Sequence, residues 1–268
     1  MISERPLCIV RGGGDLATGA ILRLHRAGFP VLVAELAQPR VVRRLVSAAE
    51  AIYAGEHDIE GLHAVHAGSR AEAARALERG QVPVLVDPDA ASIAEFEPDV
   101  VVDARMLKRR MNRPRAFAGL LIGLGPGFIA GDNCDAVVET MRGHNLGRVY
   151  WQGQAATDTG VPETVKGYNV ERVLRAPAAG TVVAVAEIGM SLRAGDLIAR
   201  VGDAPLTAAF DGVLRGLIHA GTQVAAAEKI GDLDPRNAPE YCSTVSDKSL
   251  AVGGGVLEAL LTWLHNRT

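Results

Sequence analysis

Lysine is scarce in this chain. Only Lys108, Lys166, Lys229 and Lys248 occur among 28 basic residues, so arginine carries the positive charge; we read this bias as genomic composition. An excess of one charge sign is also missing: 28 Lys and Arg stand against 31 Asp and Glu, interspersed, for a net charge of −3. Without a basic face, nucleic acid is excluded as the expected partner. Cysteine is limited to Cys8, Cys134 and Cys242, too widely spaced for a disulfide framework or a CxxC metal or redox motif. They are expected to be reduced, with at least one in the core. Nor is there a long hydrophobic run. The stretch 117–130 is broken by glycines and Pro126 and falls short of the ~20 apolar residues that span a bilayer. The start, MISERPLCIV, lacks the basic region, long apolar stretch and small-residue cleavage site of a signal peptide. A cytoplasmic protein with no membrane partner is expected.

What is present is apolar substance. Hydrophobic residues make up 48% of the 268, which excludes disorder and suits two domains with a sizeable core. A short apolar strand, 7–10, runs into R-G-G-G-D-L-A-T-G, followed by helical spacing over 15–27 and a second buried strand, 30–35, ending in Glu35. Gly12, Gly14 and Ala17 match G-x-G-x-x-A, a form of the dinucleotide-binding turn. Gly12 permits the turn, Gly14 lets backbone approach a diphosphate, small Ala17 lets the helix pack on the strand, and the free N–H groups of Gly13 to Asp15 face the anion. Glu35, 21 residues beyond Gly14, stands where an acid takes a ribose diol. Ligand loss or replacement at an inherited turn is the alternative.

Further strands are placed at 84–86, 100–103, 120–124 and 148–151, with helical patterns at 41–53 and 71–79, the alternation of a parallel sheet with helices on both faces. Gly12 to Asp15, Glu35, Asp87, Asp103 and the segment from Gly125 to Asp135 all follow strands and could share one crevice beyond their carboxyl ends. Asp87 and Asp103 are equally readable as strand-end caps.

The segment GPGFIAGDNCDAVVETMRGH, 125–144, is the densest in unusual chemistry. Gly125 and Gly127 force a turn, and Asp132 and Asp135 are positioned to cap a helix through Ala136, Val137 and Met141. Cys134 would then sit in a first helical turn, where the dipole lowers a thiol's pKa and the flanking acids raise it. Cys134 assisted by His144 is the candidate nucleophile pair; Cys134 as a buried packing residue is its alternative. Cys134, Glu139 and His144 have metal-ligating atoms but no recognised ligand spacing, so no metal site is assigned.

The second half contains a duplication. Ala176, Gly180, Gly189, Leu192 and Ile198 recur as Ala208, Gly212, Gly221, Val224 and Ile230, each 32 residues on. Short strands separated by glycine turns and duplicated in this way resemble the barrel-sandwich hybrid of biotinyl and lipoyl domains. The joining stretch 201–207 has no lysine, so neither biotin nor lipoate is expected, and the module is read as a docking element, a dimerisation element or a cover over the crevice. The chain then ends in a glycine-rich turn and an apolar helix, 256–264, that needs burial. Ser246 to Lys248 are candidates for anion contact, and Gly253 to Gly255 are read as packing glycines.

The expected fold class is therefore α/β: a Rossmann-like parallel sheet (1–170), a small all-β barrel-sandwich module (171–235), and a C-terminal loop and helix packing back on the core (236–268). The segments IGLGPGFIAG, CDAVVETMRGHNLGR, RVLRAPAAG, KIGDLDPR and SDKSLAVGGGVLEA together resemble the YqeB family of accessory proteins of selenium-dependent molybdenum hydroxylases. The resemblance covers nearly the whole chain. It implies a bacterial maturation factor for such a hydroxylase, with a dinucleotide-type fold like that of xanthine dehydrogenase accessory proteins. It carries no catalytic residues with it.

The expected function is to bind a nucleotide, or the nucleotide-bearing molybdenum cofactor, and deliver it to a client hydroxylase. An NAD-dependent redox enzyme and a scaffold that dimerises or docks a client are the alternatives, with NAD(P), another nucleotide or molybdenum cofactor as the cofactor.

Overall fold

The computed structural model describes residues 5–107, 109–113, 117, 119–160 and 164–267. Lys108 and the first four residues of the N-terminal stretch lie outside the described residues. The chain forms two compact units. The first comprises Met1–Pro39, Ser47–Asp158 and Val245–Thr268, and the second Arg40–Val46 with Thr159–Thr244.

The first unit is built on a nine-stranded sheet. Its strands are β1 (Cys8–Arg11), β2 (Val31–Glu35), β3 (Glu56–Ile59), β4 (Leu62–Ala67), β5 (Val82–Val86), β6 (Val100–Asp103), β7 (Leu120–Leu124), β9 (Ala136–Val138) and β10 (Val149–Tyr150). The short strands β8 (Ile129–Ala130), between β7 and β9, and β11 (Gly153–Gln154), after β10, pair with each other outside the sheet. The strand order is β10-β9-β7-β6-β1-β2-β5-β4-β3. Its central pairs are parallel, and both edges are antiparallel. Fully buried β1, β6 and β7 read as apolar runs, but for Arg11 and Asp103 at the ends of β1 and β6, because the sheet is covered on both faces.

Helices α1 (Asp15–Arg26), α2 (Ala51–Ala54), α3 (Arg70–Glu78) and α4 (Ser92–Phe96) lie between strands of the first half. None joins β6 to β7 or β7 to β9 among the described residues. The C-terminal helix α5 (Asp247–His265) instead packs on α1, β7, β9 and β10. It reaches α1 through glycines: a Cβ on Gly253 would lie 2.2 Å from the Gly19 carbonyl oxygen, and one on Gly19 would lie 2.0 Å from that of Ser249.

This architecture corrects the expected Rossmann-like parallel sheet. The sheet is mixed and antiparallel at both edges, and a distant helix covers its second half in place of crossover helices. Two further expectations change with it. Residues 136–141 are not a capped helix: Ala136 to Val138 form buried strand β9, in parallel register with Ile122 to Leu124. Asp135 anchors that strand, accepting from the Leu121 N–H at 2.7 Å and from two Arg113 nitrogens at 2.9 and 3.0 Å. The apolar triplet suits either element by pattern; pairing with β7 decides it. Nor is 41–53 one helix. It breaks into short 3₁₀ turns at Arg44–Val46 and Ala48–Glu50 before α2.

The second unit takes in more than the expected 171–235, because Arg40 to Val46 are stitched into it. Arg40 reaches the Glu228 carboxylate and the Gln223 carbonyl; Arg43 reaches the Tyr241 and Thr244 carbonyls, and Arg44 the Leu217 carbonyl. Gly216 leaves room for Val42, whose carbonyl oxygen would be 2.8 Å from a Cβ there. The strands are β12 (Val173–Arg175), β13 (Gly180–Ala184), β14 (Ser191–Leu192), β15 (Leu197–Val201), β16 (Ala204–Thr207), β17 (Gly212–Leu217), β18 (Gln223–Val224) and β19 (Lys229–Asp234). They form two four-stranded antiparallel sheets, β12-β19-β17-β14 and β16-β15-β13-β18.

The 32-residue repeat maps β13, β14 and β15 onto β17, β18 and β19. The short strands change places: β14 pairs with β17, and β18 with β13. Each repeat therefore completes the other's sheet around a shared core of Val182, Ile198, Phe210, Leu214 and Ile230.

Candidate functional site

The glycine turn after β1 is closed by its own chain. The Gly13 N–H donates to Glu35 Oε2 at 2.7 Å, and the Gly13 carbonyl accepts from the Ala49 N–H at 3.0 Å. A Cβ on Gly13 would lie 2.8 Å from the Ala49 nitrogen. The two features expected to take a diphosphate and a ribose thus bind each other. Thr18 holds this cover in place, its Oγ1 donating to the Gly14 carbonyl and accepting from the Ala48 N–H. Gly14 is the N-cap of α1, Asp15 accepts from the adjacent Leu16 N–H, and Ala17 is buried against the sheet. Gly12, at φ +94°, passes close to the Ala104 carbonyl.

Asp87 and Asp103 are occupied. Asp87 caps α4, accepting from the Ala91 and Ser92 N–H groups at 2.8 and 2.9 Å. Asp103 is 2% exposed and bridges Arg11 Nη1, at 3.3 Å, and Arg105. Burial pushes the Arg11 guanidinium's pKa down, and the charge of Asp103 opposes that shift. A buried arginine needs such a partner.

The structure does not bring Cys134 and His144 together as a nucleophile and base. Cys134 is 2% exposed, and burial, reinforced by the charge of Asp135, pushes its thiol up to about 12; His144 is exposed on the turn between β9 and β10. A thiol so protonated is a poor nucleophile at neutral pH. Cys8 is likewise raised to about 12, by burial and then Asp99, and burial also raises Cys242. Iodoacetamide at pH 8 is therefore expected to label no cysteine of the folded protein and all three in guanidinium, as counted by intact-mass spectrometry. Glu139 also has a structural task, accepting from the Met141 and Ala156 N–H groups at 2.7 and 2.8 Å. Among the described residues no group of three or more His, Cys, Asp or Glu could hold a metal ion.

The open feature lies beyond β7. A cleft of about 270 Å³ is lined by Arg109, Arg110, Pro126, Gly127, Ile129, Gln154, Ala155 and Thr157. Asn133 builds its walls: Nδ2 donates to the Met111 and Gly127 carbonyls at 2.7 and 3.0 Å, and Oδ1 accepts from the Ile129 N–H at 2.7 Å. Gly127, at φ +105°, passes so close to Arg109 that a Cβ would lie 2.2 Å from the Arg109 carbonyl oxygen. Gly125, at φ +69°, turns the chain beneath, where a Cβ would meet Thr140 Oγ1 at 2.5 Å. Of the expected ligand residues, only Gly127 lines this cleft. Sequence reasoning missed Arg109 and Arg110, although the run RMLKRRMNRPR, 105–115, packs six basic residues into eleven directly after a strand.

Over 263 residues, 98% of its length, the chain is 44% identical to a protein of Escherichia coli (strain K12) described as uncharacterized protein YqeB. The chain is a YqeB homologue. It spans about half of that relative, 49% of its length. No protein-family model matches the chain.

Solved structures with some likeness are an aspartoacylase family protein from Mesorhizobium loti, a succinylglutamate desuccinylase from Silicibacter sp. TM1040 and the ectoine utilization protein EutE (DoeB) from Ruegeria pomeroyi. The identities are 11, 15 and 11%, and the TM-scores 0.27, 0.25 and 0.26. Each match covers 86% of this chain and 85, 85 and 86% of the other. Likeness of this order transfers neither fold nor activity.

The closed glycine turn and the antiparallel sheet edges withdraw the expected fold class with its Rossmann-like sheet, and with it the NAD-dependent alternative. The expected molybdenum hydroxylase maturation role with its selenium dependence is withdrawn too, since the description of the Escherichia coli relative, uncharacterized protein YqeB, gives no such role. Among the described residues no helix is long and apolar enough to cross a membrane.

Proposed function

We propose that the first unit binds a small organic anion in the cleft beyond β7, and that it does so in the cytoplasm. The observation that carries the reading is the convergence of Arg109 and Arg110 on a glycine turn held rigid by Asn133, beside apolar Pro126, Ile129 and Ala155. Paired guanidinium groups supply planar donors for carboxylate or phosphate oxygens, and the apolar side receives a short hydrocarbon body. A volume of about 270 Å³ is below the ~300–1,000 Å³ of pockets for drug-sized ligands, which favours a small metabolite over a dinucleotide. Three free, buried cysteines suit a reducing compartment.

Isothermal titration with butyrate, succinate and inorganic phosphate tests the reading. At least one should bind, and Arg109→Ala should weaken that binding by about tenfold or more, as loss of a charged hydrogen-bond donor does. No heat from any of the three with the wild-type protein, or unchanged affinity in a folded Arg109→Ala variant, would reject it.

A further inference from the structure

A residue outside the lining sets the charge of the cleft. Arg110 Nη2 meets Asp132 Oδ2 at 2.6 Å, whereas Arg109 makes no ion pair among the described residues. Two arginines therefore present one uncompensated positive charge. Asp132 is held where it stands by its own N–H, which donates to the Ile129 carbonyl at 3.1 Å, and by neighbouring Asn133, whose amide fastens both walls. The rest of the lining includes the apolar surfaces of Pro126, Ile129 and Ala155.

We infer that Asp132 is a specificity-determining residue: it selects a monocarboxylate with a short apolar body over a phosphate-type dianion. This rests on the reading of the cleft as an anion site. One negative charge matches the one positive charge that Arg109 and Arg110 leave uncompensated among the described residues. A second would face Asp132 across Arg110, and like-charge repulsion on the order of 1 kcal/mol corresponds to roughly fivefold in affinity. The Arg110–Asp132 side chains are 64% and 44% exposed. Such an exposed pair contributes little to folding, so its charge can be removed without unfolding the chain.

The experiment is an NMR titration of the full chain with sodium butyrate and with inorganic phosphate, at pH 8 and low ionic strength, where screening is weak. It compares wild type, Asp132→Asn and Asp132→Glu. Wild type should prefer butyrate; Asp132→Asn should improve phosphate binding about fivefold relative to butyrate; Asp132→Glu should keep the wild-type ratio. An unchanged ratio in Asp132→Asn, or a wild-type preference for phosphate, overturns the role of Asp132 and leaves the anion cleft standing. Failure of both anions to shift any wild-type resonance of the cleft overturns the cleft reading and this inference with it.

Discussion

Gly253→Ala is expected to destabilise the first unit by about 2–3 kcal/mol, while Gly254→Ala, one residue on, stabilises it by roughly 0.5–1 kcal/mol. The three consecutive glycines of α5 have different surroundings. A Cβ on Gly253 would lie 2.2 Å from the Gly19 carbonyl oxygen and one on Gly255 would lie 2.3 Å from that of Gly147, whereas one on Gly254 meets nothing within 4 Å. Both clashing atoms are backbone, so the methyl can be relieved only by moving α5 away from α1 or from the turn before β10. That movement loosens packing on buried Val252, Val256 and Leu260. At Gly254 the same methyl costs no packing and removes the conformational entropy of a glycine inside a helix. Urea denaturation of the two variants measures the effect. Equal effects, or effects of the same sign, would contradict the glycine-mediated crossing of α1 and α5.

Asp234→Ala is expected to cost about 3–5 kcal/mol, with the loss confined to the second unit. Asp234 is 2% exposed and receives Arg236 Nη2 at 2.6 Å, Arg215 Nη1 at 3.2 Å and the Arg236 N–H at 3.0 Å. Arg215 also reaches Asp232 at 2.7 Å, and the Arg236 guanidinium lies 4.6 Å from the centre of the Tyr241 ring. Removing Asp234 leaves these arginines short of a counter-charge in a low-dielectric place. Burial alone would raise this carboxyl; hydrogen bonds from the Arg236 side chain and backbone, with the charges of Arg215 and Arg236, outweigh it and hold the pKa at about 2 instead of 3.8.

A folded-state pKa below the unfolded value contributes stability that is fully present above about pH 4 and lost as pH falls towards 2. Its size is on the order of 2 kcal/mol. Hydrogen exchange of the β17 and β19 amides as a function of pH would locate this loss. Asp234→Asn should flatten the acid limb, because it no longer has a proton to bind.

Much of the backbone is legible in the sequence. Strands β6 and β7 and helices α1 and α3 announce themselves by apolar runs or by helical spacing, because each is buried on a continuous face whose period is set locally. The duplication is legible for the same reason: glycine turns and core positions repeat every 32 residues. Residues 136–138 are not, since an apolar triplet has no period long enough to distinguish helix from strand, and its identity comes from β7 alongside. Residues 40–46 are not either. Their attachment to the second unit depends on arginines reaching carbonyls some 170 to 200 positions away, which no local pattern encodes.

The candidate site divides along the same line. Composition and spacing by themselves determined that the chain has ample core, no disulfide framework, a glycine turn after the first strand and a repeated β module. Only the tertiary structure decided what the reactive-looking residues do. Glu35 and the Gly13 N–H satisfy each other because parallel pairing of β1 and β2 brings the acid back to the turn. Burial raises the Cys134 thiol because β9 lies inside the sheet. Arg109 and Arg110 come to line the cleft beyond β7 because Asn133 fastens their loop to Gly127. In each case a polar group's role is fixed by the partner that folding supplies, and that partner lies beyond the reach of local sequence.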